Sequence, residues 1–168
     1  MDTESFYRLI AGYPDCVIDY CLVKNEHTES GLKAHRNALL RACRELFADE
    51  NGEMIWQFDV GKAEARRIAA EELFLLPERL QMNTDGGRIS YGQAFLLPPW
   101  GCEYTEKDFR IVNAALFPNG TDALEAYEWT TGWSEYFDEG HEWWGTLCLT
   151  VYDNSLDRFA VIMASATD

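Results

Sequence analysis

Along the first two thirds of the chain apolar residues recur every three or four positions, and near its end they alternate with polar ones. The first spacing predicts helices and the second strands. Phe6, Leu9 and Ile10 share one face of a short helix that Thr3 can cap and that Gly12 and Pro14 end. Residues 16–23 suit a strand, although a helix beginning at Pro14 fits almost as well. A clearer helix is predicted over 30–49, with Leu32, Leu39, Cys43 and Leu46 on one stripe. Its basic residues, Lys33, Arg36, Arg41 and Arg44, ride mostly on the other side, and Asn51-Gly52 stops it.

Residues 54–60 (MIWQFDV) read as a strand. A third helix is predicted over 62–75, carrying Ala65, Ile68, Ala69 and Leu76 inward and ending before Pro77. Residues 84–88 (TDGGR) form a tight turn, 88–96 are predicted extended, and Pro98-Pro99-Trp100-Gly101 makes a rigid loop. Thr105-Glu106-Lys107-Asp108 is a capping box in its Asp form. Phe109, Val112 and Leu116 follow it at helical spacing, and Pro118-Asn119-Gly120 closes the helix. Leu147, Leu149 and Val151 alternate with Thr146, Cys148, Thr150 and Tyr152, so 146–152 and 158–164 form an antiparallel hairpin.

Helices first and strands last imply an α+β fold, with an antiparallel sheet and helices packed mainly on one face. At 168 residues and 47% apolar content the chain suits one domain over 1–168, without internal repeats or a linker.

Charge narrows the partners. The formal net charge of -15 repels nucleic acid and anionic membranes and favours a basic protein. The acids concentrate with aromatics in residues 127–144 (YEWTTGWSEYFDEGHEWW), which hold four of the six tryptophans. No Lys or Arg occurs between Ile111 and Asp157. Rings beside sheet strands usually fill a core, but core filling does not require Glu135, Asp138, Glu139 and Glu142. The expected partner-binding residues are therefore Trp133, Glu135, Tyr136, Asp138, Glu139 and Glu142, with Trp129 and Trp144 inside. Carboxylates there can accept paired hydrogen bonds from Arg or pair with Lys.

Catalytic motifs are sparse. His141 has Asp138, Glu139 and Glu142 nearby, but Asp-Glu-Gly-His-Glu reads as a turn with no second His beside it. Of Cys16, Cys21, Cys43, Cys102 and Cys148, only Cys102 sits in an evidently exposed loop. Asp85-Gly86-Gly87 and Gly92 lack phosphate-loop spacing, and the basic residues from Lys33 to Arg67 are expected to pair with the chain's own carboxylates. No cofactor or metal is expected. Free thiols, a start without a basic and apolar leader, and the absence of a membrane-length apolar run point to the cytoplasm.

Residues 133–145 (WSEYFDEGHEWWG) resemble a signature of small bacterial proteins. In size, acidity and single-domain plan the chain resembles the small acidic immunity proteins of bacterial toxin systems, including those of contact-dependent growth inhibition. The resemblance implies a non-catalytic antitoxin that neutralises a cognate basic toxin, often a nuclease. Two alternatives stand beside it: a DNA-mimicking or regulatory binder of another basic protein, and an enzyme with a site near His141 or Cys102.

Overall fold

The computed structural model describes residues 2–26, 30–76 and 85–167. Five strands form one antiparallel sheet: β1 (Ile18–Lys24), β2 (Ala65–Ile68), β3 (Leu124–Trp129), β4 (Gly145–Asp153) and β5 (Arg158–Ala166). Their spatial order is β1-β5-β4-β3-β2. The hairpin predicted from alternation lies at the centre, with Leu149 opposite Ile162. The open choice for 16–23 resolves as strand β1, which pairs with β5 along its whole length.

Both faces of the sheet are covered. Helices α1 (Thr3–Ile10), α3 (Tyr91–Leu96) and α4 (Glu106–Leu116) share one face, while α2 (Gly31–Leu46) lies on the other. Phe6, Phe95, Phe109 and Leu116 fill the first layer against Leu147, Leu149, Ile162 and Ala164. Ala34, Ala38 and Ala42 bring α2 against Cys21, Cys148, Val161 and Met163. The chain is thus a single α+β domain whose middle strands are buried on both sides.

Caps explain several helix starts. Asp2, rather than Thr3, caps α1 by accepting from the Ser5 N–H at 2.8 Å. The Thr105–Asp108 box forms as the sequence predicts, with the Thr105 N–H donating to Asp108 Oδ2 at 2.8 Å. On α2, Leu39 and Cys43 are buried but Leu32 is exposed, because the stripe that meets the sheet begins only at Ala34.

Four local expectations fail, each for a physical reason. Residues 62–75 do not form a helix: they build a 3₁₀ turn at Val60–Lys62, strand β2, and a 3₁₀ turn at Ala70–Phe74. Their helix-forming composition is overridden by pairing with β3, where Arg66 stands opposite Glu128. Residues 54–60 make only isolated bridges, Ala48 with Met54 and Phe58 with Ser134, because β2 takes the place beside β3. Residues 88–96 are not extended through their length, because Ser90 and Gln93 close a capping box that starts α3. The Asp-Glu-Gly-His-Glu segment is a short helix, α5 (Asp138–Glu142), rather than a turn. The predicted 84–88 turn is described from Asp85, where Gly86 takes φ +68° and Asp85 Oδ1 accepts from the Gly87 N–H; Thr84 lies outside the described residues.

On the α2 face one polar chain crosses the core. The Trp129 indole N–H donates to Thr150 Oγ1 at 2.9 Å. Thr150 Oγ1 lies 2.8 Å from His35 Nδ1, and His35 Nε2 lies 3.1 Å from Glu125 Oε1. Arg67 holds the other Glu125 oxygen at 3.1 Å. The Glu125 carboxylate can only accept, so Nε2 carries the ring proton of the neutral imidazole, and the Thr150 hydroxyl, accepting from the indole, gives its own proton to Nδ1. Burial pushes the His35 imidazole down to about 4 against the opposing pull of Glu125.

His35 therefore stays neutral in the fold while the unfolded chain takes up a proton near pH 6.5. The stabilisation is full above that pH and is lost progressively as pH falls towards 4. Urea unfolding across this window should show a loss of about 3 kcal/mol from this residue. In His35→Gln that part of the pH slope should vanish.

Candidate functional site

The aromatic and acidic segment after β3 sorts its side chains by chemistry. Trp129 and Trp144 are buried, as are Trp133 and Phe137. The Trp133 indole N–H donates to the Thr130 carbonyl, and its ring meets Phe137 edge-on at 5.4 Å. Tyr136 is half-buried, stacked on Phe47 at 4.9 Å, and its hydroxyl donates to Asp19 Oδ2 at 2.7 Å. Burial and the neighbouring Asp19 carboxylate push the phenol well above its ordinary range, so it remains the donor.

The acids face outward. Glu135, Asp138, Glu139 and Glu142 are all exposed, and none makes an ion pair among the described residues. Glu135 Oε2 accepts from the Gln57 N–H at 2.9 Å, which fixes the start of the ridge. The Asp59 N–H donates to the Trp133 carbonyl and the Ser134 hydroxyl to the Gln57 carbonyl, so residues 57–59 brace the segment from one side. An open cleft of about 330 Å³ separates the two stretches, lined by Asp59, Lys62, Trp133, Glu135 and Asp138 among others. Of the six expected contacts, the four carboxylates are exposed, with Glu135 and Asp138 lining this cleft, while Tyr136 is half-buried and Trp133 is buried.

Two glycines let α5 sit this close to the sheet. The Gly140 N–H donates to Ser165 Oγ at 2.9 Å. A Cβ at Gly140 would collide with the Gly145 carbonyl and stand 2.8 Å from Ser165 Oγ. A Cβ at Gly86, besides its left-handed φ, would collide with the His141 carbonyl.

No known family, curated protein or solved structure matches the chain. Its chemistry is therefore read from its geometry. His141 is exposed and its Nε2 lies 2.8 Å from Thr131 Oγ1, not from a carboxylate. Among the described residues no three His, Cys, Asp or Glu side chains converge as metal ligands would. Cys102 is only half-buried, with its thiol turned to the Leu96 carbonyl at 3.5 Å. Burial pushes all five thiols up, opposite to the shift that activates a cysteine nucleophile.

The arrangement most like a catalytic triad is one that no motif announced. Thr150, His35 and Glu125 form a hydroxyl–imidazole–carboxylate line. Thr150 is fully buried and already accepts from Trp129, so its oxygen cannot meet a substrate. The one hint in the sequence was His35 lying on the α2 stripe beside Ala38, Leu39 and Ala42. The basic residues singled out on 33–67 mostly pair internally, Arg41 with Glu26, Lys62 with Asp59, Arg66 with Glu128 and Arg67 with Glu125.

Because α5 has no spare volume at Gly140, Gly140→Ala should destabilise the fold by about 1–3 kcal/mol. Urea denaturation monitored by tryptophan fluorescence measures this, since Trp143 and Trp144 follow the helix directly. An unchanged midpoint would mean that α5 can lift without disturbing the sheet.

Proposed function

We propose that this chain is a non-catalytic binder that neutralises a basic protein, in the manner of an immunity protein acting on a cognate toxin. The observation that carries this reading is the division of labour between residues 133 and 142. Rings lie inside, and the four carboxylates outside form no ion pair among the described residues. Exposed carboxylates on a fixed support accept guanidinium and ammonium groups without first breaking internal ion pairs. The net charge of -15 adds a long-range attraction for a basic surface.

A basic toxin that holds phosphates with Lys and Arg would present the complementary surface, and occupying it would exclude nucleic acid. Under this reading Glu135, Asp138, Glu139 and Glu142 are the contacts, Tyr136 supports them from below, and Trp133 serves as a buried strut.

The test is capture from a lysate of the source cell on immobilised protein, at low and then high salt, with mass spectrometry of what is retained. One basic protein, held stoichiometrically and released by salt, is the expected result. The triple reversal Asp138→Lys, Glu139→Lys and Glu142→Lys should slow its association by at least about tenfold at low salt. Undiminished binding by a folded triple variant would rule out the acidic ridge as the contact surface.

A further inference from the structure

On the other face of the sheet from α2, a second charged cluster surrounds a hollow of about 270 Å³. Glu128 lies at its base on β3, nine-tenths buried. Two arginines from different parts of the chain converge on this one carboxylate. Arg66 on β2 donates through Nη2 to Oε2 at 2.7 Å, and Arg88, between the 85–87 turn and α3, forms an ion pair with its Nε 2.9 Å from Oε1. Both arginines are half-open to solvent at the rim. The floor is apolar: Leu73, Ile89, Leu147 and Leu149 are buried there. Exposed Leu75 continues the apolar surface to the rim.

One buried carboxylate needs one guanidinium to balance it, and here it fixes two. Each arginine is held by one edge of its fork. Arg88 meets Glu128 through Nε. Guanidiniums anchored in this way are placed in advance for a planar anion, which they can grip through paired hydrogen bonds. The charge count limits that anion. Glu128 offsets one arginine, and Glu72, whose Oε2 is 3.9 Å from Arg66, partly offsets the other. Two arginines against two carboxylates leave the cluster without excess positive charge, which suits a monoanion held by guanidinium N–H groups rather than a doubly charged phosphate. The volume lies just below the usual range of small-molecule sites, about 300–1,000 Å³, and the leucine and isoleucine floor admits a short apolar body.

We propose that this hollow binds a small amphipathic carboxylate, its head between Arg66 and Arg88 and its apolar part on Leu73, Ile89 and Leu149. The site shares no lining residue with the acidic ridge and stands or falls independently of the basic-partner reading.

The experiment is a titration of the ¹⁵N-labelled full chain with hexanoate, followed by amide chemical shifts, with hexylammonium as the matched cation. Hexanoate should give saturable shifts centred on Ile68, Ile89 and Leu149, and hexylammonium should give none there. Arg66→Gln and Arg88→Gln should each weaken hexanoate at least about tenfold, the loss of a charge-assisted hydrogen bond. Arg67→Gln removes the same charge from β2 on the opposite face and should leave binding unchanged. Either rim variant is read only against a spectrum that is otherwise native, and the two variants test the rim separately. No saturable shift at millimolar hexanoate would overturn the proposal. So would equal shifts with hexylammonium, or an equal loss in Arg67→Gln.

Discussion

The pairing of β4 with β5 places nine residues of each strand in the middle of the sheet, and almost all of them are buried on whichever face they occupy. A strand pair in that position cannot leave either side to water, so it requires two covering layers. The rest of the chain supplies them unequally. Three short helices with large aromatic side chains cover one face, whereas one long helix lined with alanines covers the other. Small residues bring α2 close to the strands, and closeness is what strands His35 in the core. The imidazole then needs Thr150 on one side and Glu125 on the other, and Glu125 in turn takes Arg67. The polar chain is thus a consequence of tight apolar packing, and with each member bonded it costs far less than an unpaired group would.

The same logic separates what the sequence could reveal from what it could not. The hairpin and α4 were legible because their signals are local: strict alternation in one case, a capping box and a Pro-Asn-Gly stop in the other. Helix α3 carried an equally local signal, Ser90 followed three residues later by Gln93, outweighed by the extended reading of residues 88–96. Strand β2 was beyond local reading. Ala, Glu, Arg and Leu over 62–75 favour helix, and only the neighbourhood of β3 makes Arg66 and Arg67 a strand with one arginine on each face.

The candidate surface was half legible. Its acids could be read as exposed because so many of them stand beside rings without a basic residue nearby. Which rings face inward depends on the sheet and on Phe47 and Phe137. The hydrogen bonds around His35 and Glu128 join residues between 21 and 115 positions apart in the chain. Spacing within the sequence gives no sign of them.

The helix-prone composition of β2 also bears on the order in which this chain assembles. Its partner strand is made later, with Arg66 and Glu128 separated by 62 residues. Until β3 emerges from the ribosome the 62–75 segment has nothing to pair with, and its local preference favours coiling. The β2 edge of the sheet can form only once Glu128 has been made to receive the arginine. Strand β1 waits longer still, because it is the first strand made and pairs only with β5, the last.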